Sequence, residues 1–283
     1  MPFIVQLQDA QATFPDYNFV APLTPSEQKA AFHVQDADGN DLCLKIIAPN
    51  YHIDRLQREI QALQSIDHDN VVKLVEYTFS SRPGQQRHYI IEEFIEGNDL
   101  TTKLSQEHVW NRVEVADVFA MILDGLSALD AHNIVHRDLK PSNIRVRHDG
   151  HPVIIDFGLA RHIDLPDITR TEDGAAIGTP IYFAPEQFNG TKHDIDPRTD
   201  IFAAGVLMYE ALVGQHPFWQ RGMNMQQLSD AVCNSDEYRH IPTFSASPDR
   251  WQLILERMLE KNRAGRPRNA AQVATILRKI RED

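Results

Sequence analysis

The stretch His136-Arg137-Asp138-Leu139-Lys140-Pro141-Ser142-Asn143, followed eighteen residues after Asp138 by Asp156-Phe157-Gly158, decides the reading of this chain. It sets two carboxylates, an ammonium and a carboxamide within a short span. Standing alone, such a segment is an ordinary solvated loop, but here it is framed by apolar patterns. Asn143 to Val146 and Pro152 to Ile155 read as short β pieces. Upstream, Val115, Val118, Phe119, Ile122, Leu123, Leu126 and Leu129 recur at helical spacing as one apolar face. Downstream, a loop-like stretch runs to about Gly190, and helical patterns return at Asp200 to Val213, at Trp251 to Leu259 and near the C-terminus. Ile201 to Gly214 is apolar, yet too short for a membrane span and interrupted by Glu210, so it reads as a buried core helix. Roughly the first 90 residues are strand-rich. Leu42 to Ala48 and His88 to Ile95 read as β, with turn chemistry at Asp38-Gly39-Asn40, and Ile53, Leu56, Ile60 and Leu63 mark a helix between them.

In order and spacing, the two motifs resemble the catalytic loop H-R-D-L-x-x-x-N and the D-F-G of protein kinases, and the resemblance covers nearly the whole chain. It looks like a eukaryotic-type (Hanks-type) serine/threonine kinase catalytic domain, and Ala184-Pro185-Glu186-Gln187 and its compactness are similar to bacterial or viral members. The resemblance implies an α+β fold with a small antiparallel β N-lobe carrying one key helix (1–95) and a larger α-helical C-lobe (96–283), together one kinase domain over 1–283. It implies ATP and Mg²⁺ as cofactors and Ser/Thr hydroxyls of a protein as acceptors. Phosphoryl transfer asks for positioning and charge neutralisation more than covalent chemistry. Asp138 then accepts the proton of the substrate hydroxyl, Lys140 offers a cation to the moving phosphoryl group, and Asn143 and Asp156 supply oxygens for Mg²⁺, a hard cation. Leu42-Cys43-Leu44-Lys45 resembles the V-A-I-K strand, with Lys45 on the α- and β-phosphates and Glu59 of the following helix paired to it. Glu93 and Ile95 lie in the hinge segment that resembles the family's ATP-binding strand end. Thr179, in Gly178-Thr179-Pro180, belongs to the substrate platform and with Lys140 argues against tyrosine specificity. Glu186 is expected to pair with Arg266 as a buried structural ion pair, and Asp200 to hold the backbone around a packed His136.

The pattern breaks in three places. Thr24, Ser26 and Lys29 stand where three glycines normally bring backbone N–H groups close to the phosphates. Lys29 or Ser26 is a candidate to replace that contact. Glu92 occupies a gatekeeper position that is usually apolar or threonine, and Arg145 falls where an apolar residue packs under the adenine ring. Buried unpaired charges are costly, so these two are expected to pair, stay wet or touch ligand. The breaks keep two other readings open: a pseudokinase-like scaffold with weak nucleotide binding, and a transferase acting on another substrate. Arg137 before Asp138 resembles kinases switched by activation-segment phosphate, which makes Thr169 and Thr171 candidate sites of autophosphorylation in trans, through transient self-association.

Composition narrows the partners. The 283 residues carry a formal net charge of −12, which disfavours nucleic acid and anionic membrane surfaces as bulk partners. A hydrophobic fraction of 42% and a charged fraction of 24% suit a chain that buries a real core. Cys43 and Cys233, far apart and outside any C-x-x-C, suit neither a disulfide framework nor a zinc site; a reducing cytoplasm is expected. The N-terminus lacks the basic and apolar runs of a signal peptide.

Overall fold

The computed structural model describes residues 2–26, 29–49, 60, 63–80, 87–106, 109–156, 180–188, 194–234 and 249–281. These group into two units, residues 1–68 with 72–95 and residues 69–71 with 96–283. The expected fold class holds: the first unit carries an antiparallel five-stranded sheet and the second is mainly helical.

In the first unit, α1 (Leu7–Thr13) precedes β1 (Asn18–Pro22), β2 (Lys29–Gln35), β3 (Asp41–Ile47), β4 (Leu74–Ser80) and β5 (Arg87–Glu93), in sheet order β1-β2-β3-β5-β4. Side chains alternate across a strand with a period of two. Register pairs Phe32 with Leu44 and Val34 with Leu42 across β2 and β3, and Leu44 with Ile91 across β3 and β5. One face is therefore continuous in Phe32, Val34, Leu42, Leu44, Ile46, Tyr89 and Ile91. Ala31, His33, Cys43, Lys45, Ile90 and Glu92 fall on the other face. The β2–β3 turn is closed by Asp36, whose carboxylate accepts from the N–H of Asp38 (3.0 Å) and of Asn40 (2.8 Å), while Gly39 takes φ +82°, the left-handed region that glycine adopts freely.

The apolar face is covered by the segment that leads into the sheet. Ala10 is fully buried on it, with Phe3, Val5, Phe14, Tyr17 and Phe19 packed around. Phe14 meets Tyr89 edge-on at 4.6 Å between ring centroids, and the Phe3 N–H donates to Ser26 O at 2.7 Å. A seven-residue helix is marginal by itself, so docking rather than propensity holds α1 in place. Removing residues 2–17 is expected to bare this face, lower the melting temperature and give strong binding of an apolar dye. A truncated protein with unchanged melting and no dye binding contradicts the packing.

In the second unit, β6 (Asn98–Asp99), β7 (Ile144–Val146) and β8 (Pro152–Ile154) form a small antiparallel sheet. Helices α2 (Leu100–Gln106), α3 (Arg112–Ala131), α4 (Pro185–Phe188), α5 (Arg198–Val213), α6 (Met225–Cys233), α7 (Arg250–Met258) and α8 (Ala270–Ile280) make up the rest of its named structure. Asn111 caps α3 by accepting from the Glu114 N–H at 2.9 Å, Asn224 and Gln227 form a capping box on α6, and Asn269 caps α8. The core helix expected around Ile201 to Gly214 is α5, buried on all sides and ended by Gly214 at φ +72°. Gly205 lets α7 approach: a Cβ there would meet Met258 Cβ at 2.9 Å. Among the described residues, no helix is long and apolar enough to cross a membrane.

His216, just beyond α5, makes the second unit sensitive to acid. Its Nδ1 accepts from the N–H of Phe218 (3.1 Å) and Trp219 (2.9 Å), a role that only the neutral ring can fill. Burial pushes its pKa down from 6.5 to about 4. The unfolded chain then takes up a proton first, so this contribution is complete above pH 6.5 and is lost as the pH falls towards 4. The loss is expected to reach on the order of 2–3 kcal/mol. In His216→Asn, whose side-chain oxygen can still accept, the unfolding free energy should lose that dependence between pH 7 and 4. An unchanged pH slope in the variant contradicts this assignment.

Candidate functional site

The charged stretch is built on the β7–β8 hairpin. Pro141–Asn143 forms a single 3₁₀ turn, the chain enters β7 at Ile144, and Ile144 pairs with Ile154 on the return strand. The Ile155 N–H donates to Asn143 O at 2.9 Å, which brings the chain just before Asp156 back beside Asn143. Residues eighteen apart in sequence to Asp138 thereby end as neighbours of one turn.

Buried polar contacts hold that turn. His136 is fully buried, its N–H donates to Asp200 Oδ2 at 2.7 Å, and its Nε2 lies 3.1 Å from Ile155 O. The Arg137 N–H donates to Asp200 Oδ1 at 2.9 Å. Asp200 thus grips two successive backbone amides from the first turn of α5, as the sequence led us to expect. Burial pushes the Asp200 carboxyl upward, against the two amides and the neighbouring His136 and Arg137, which favour its charged form. Gln187 adds a clamp that the sequence reading missed: its Nε2 donates to Arg137 O at 2.8 Å, and its Oε1 accepts from the Ala184 N–H at 3.0 Å. Arg137 and Asp156 both have left-handed backbone, at φ +64° and +57°. Such conformations are costly outside glycine and gather where surrounding contacts enforce them. Nothing in the residue types Arg and Asp announced this.

Within the turn, Lys140 Nζ lies 2.9 Å from Asp138 Oδ2. Asn143 Nδ2 donates to Asp138 O at 2.8 Å and approaches Asp138 Oδ2 at 3.3 Å. One Asp138 oxygen therefore receives two donors, which fixes the orientation of the carboxylate. A cavity of about 320 Å³ opens on Arg137, Asp138, Lys140 and Ser142 from one side and on Pro180, Tyr182 and Phe183 from the other. Tyr182 OH donates to Glu210 Oε2 at 2.9 Å, and burial raises both groups above their ordinary pKa. Asn143 spends its NH₂ on Asp138, leaving its carbonyl oxygen as the group suited to a cation. With the Asp156 carboxylate this is an all-oxygen donor set, which fits Mg²⁺.

In the first unit, Lys45 and Glu92 form a buried ion pair, 5% and 3% exposed. Glu92 is a partner of Lys45 that sequence reading missed: in the β3–β5 ladder Cys43 stands opposite Glu92 and Lys45 opposite Ile90, so the two are diagonal neighbours on one sheet face. Both odd charges have a partner, Glu92 buried and Arg145 half-buried. Glu92 is joined to Lys45, and Arg145 donates to Gly97 O. Glu93 Oε1 accepts from the Lys73 N–H at 2.9 Å, and Ile95 is buried. Lys29 opens β2; its N–H donates to Ser26 Oγ at 3.2 Å, and its carbonyl accepts from the Ser26 N–H at 2.9 Å. Two of the three positions expected to carry glycine, Ser26 and Lys29, are thus bonded to each other. Glu59, Thr169, Thr171 and Thr179, with Phe157, Gly158 and Gly178, lie outside the described residues.

The expected structural ion pair is present: Arg266 Nη1 and Nη2 meet Glu186 Oε1 and Oε2 at 2.7 and 2.8 Å.

A family model described as the protein kinase domain matches residues 30–276. The chain is 34% identical over 234 residues to the serine/threonine-protein kinase PkaA of Streptomyces coelicolor, a match covering 81% of this chain and 40% of that protein. It is 30% identical over 252 residues to the serine/threonine-protein kinase pkn2 of Myxococcus xanthus, covering 84% of this chain and 29% of the relative. For pkn3 of the same organism the identity is 33% over 228 residues, 76% of this chain and 40% of that protein. The chain therefore spans less than half the length of these curated relatives.

Proposed function

Because the chain belongs to the protein kinase family, we propose that it transfers the γ-phosphoryl group of ATP to serine or threonine hydroxyls of proteins. The observation that carries this reading is the Asp138 carboxylate, held by Lys140 and Asn143 at the mouth of a cavity. In the reaction the acceptor oxygen bonds to the γ-phosphorus, the bond to the β–γ bridging oxygen breaks, and ADP departs. Asp138 takes the hydroxyl proton, and Lys140 faces the charge that builds on the transferred group. Asn143 and Asp156 are the residues that would hold Mg²⁺, which would supply charge neutralisation at the phosphates. Lys45 engages the α- and β-phosphates, Glu59 is a further partner for it, and Glu93 and Ile95 contribute at the nucleotide-binding strand end. Lys29 is a candidate phosphate contact, and Thr179 belongs to the substrate platform.

The same reading makes Thr169 and Thr171 regulatory sites, phosphorylated by a second copy and paired with Arg137. We place the chain in a reducing compartment such as the cytoplasm, where Cys43 and Cys233 stay as thiols. The bonds between Ser26 and Lys29 support the scaffold alternative, because side chains stand at positions where glycine would leave the backbone open. A thermal-shift titration with ATP separates the two. The kinase reading expects stabilisation that grows with Mg²⁺ in wild type and loses its Mg²⁺ dependence in Asp156→Asn. No shift with any nucleotide counts against it.

A further inference from the structure

The described structure gives Lys45 a carboxylate partner on its own sheet, and this has a consequence for how the lysine is made ready. β3 lies between β2 and β5, and β5 lies between β3 and β4, so both Lys45 and Glu92 are carried on strands hydrogen-bonded along both edges. Glu92 is opposite Leu74 on β4, beside an irregularity between Leu74 and Glu76, and opposite Cys43 on β3. Both side chains are almost wholly removed from water. A lysine side chain has four rotatable carbon bonds, and ordering it before a ligand arrives removes that entropy cost from the binding step. A carboxylate supplied by a helix can move with the helix; one supplied by the neighbouring strand of a ladder stays in register with the lysine.

We propose that Glu92 is a positioning residue that presets the Lys45 ammonium for the phosphates of the nucleotide. The proposal rests on the reading of Lys45 as a phosphate-binding lysine. Glu92 itself touches no reacting atom; it acts through Lys45, whatever other partners Lys45 has. It accounts for an acidic residue at a position where the family carries an apolar residue or threonine. The carboxylate is retained there because the lysine uses it.

The test compares the affinities of Mg²⁺-ADP and of adenosine for the full chain in wild type, Glu92→Gln, Glu92→Met and Lys45→Met. Gln keeps the shape and an acceptor but not the charge. Charge-assisted hydrogen bonds exceed neutral ones by an amount that corresponds to about a tenfold change in affinity. Glu92→Gln is therefore expected to weaken ADP about tenfold while adenosine, which has no phosphate, stays within about twofold. Glu92→Met should weaken ADP at least as much. If ADP and adenosine weaken together, Glu92 is merely structural and the proposal fails. If Glu92→Gln binds ADP as well as wild type or more tightly while Lys45→Met loses it, the carboxylate idles or competes with phosphate, and the proposal fails while the role of Lys45 stands. If Lys45→Met itself leaves ADP affinity unchanged, the reading of Lys45 fails, and the proposal with it.

Discussion

Asp138→Asn is expected to lower phosphoryl transfer by about 10²–10⁴-fold, the usual contribution of a positioned base. Asn has nearly the same shape and still offers an oxygen to Lys140 Nζ and to Asn143 Nδ2, so the turn should keep its contacts. The Asp138 N–H and C=O are bonded to His136 Nδ1 and Asn143 Nδ2 through the main chain, and those bonds do not depend on the charge. Melting temperature and nucleotide affinity are therefore expected to stay near wild type while turnover collapses. Steady-state kinetics with a peptide acceptor give the answer. Turnover within threefold of wild type means that Asp138 does not take the proton, and the roles assigned to its neighbours go with it.

Arg266→Met is expected to give the largest loss of stability. The Arg266 side chain is fully buried and Glu186 is 7% exposed. Beyond the paired contact with Glu186, its Nε donates to Glu260 O at 2.7 Å, Nη1 to Arg198 O at 3.1 Å and Nη2 to Lys261 O at 3.2 Å. Its guanidinium also lies 4.8 Å from the centre of the Phe202 ring. Thr199 Oγ1 donates to Glu186 Oε1 at 2.8 Å and keeps only one of the acid's needs met once Arg266 is gone. Removing one member of a buried ion pair strands the other, at a cost of about 3–5 kcal/mol. For a chain of this size that lowers the melting temperature by about 10 °C. Adding Glu186→Met should recover part of the loss by removing the stranded charge, while the loss of the Arg266 bonds to three carbonyls keeps the double variant below wild type. A melting temperature of Arg266→Met within about 2 °C of wild type contradicts the account of this pair.

What the sequence made legible follows the physics of each signal. The turn at His136 to Asn143, the Asp200 anchor and the Glu186–Arg266 pair were readable through the resemblance to the kinase family, whose motifs these residues match one by one. The strands near Leu42 and His88 and the helices at α3, α5 and α7 were readable from apolar periodicity, with ends displaced by at most two residues where the sequence set bounds. α1 was not readable: LQDAQAT has no side-chain cap bond and one buried residue, and its order comes from docking on a sheet that forms later in the chain. The Lys45–Glu92 pair was missed because register between β3 and β5 is a property of the ladder, not of either strand alone. The left-handed backbone at Arg137 was missed because tertiary contacts impose it on a residue with no intrinsic preference for it, and that at Asp156 because aspartate's modest tendency towards this region does not say where it is used.

The account stands most directly on acceptor chemistry. The decisive measurement is the rate of γ-phosphoryl transfer from Mg²⁺-ATP to three degenerate peptide pools, identical except for Ser, Thr or Tyr at the fixed central position. The account expects phosphate on the Ser and Thr pools, little or none on the Tyr pool, and transfer lowered by at least about 10²-fold in Asp138→Asn and Lys45→Met. Transfer to tyrosine at a comparable rate, or nucleotide binding with no transfer to any pool, contradicts it.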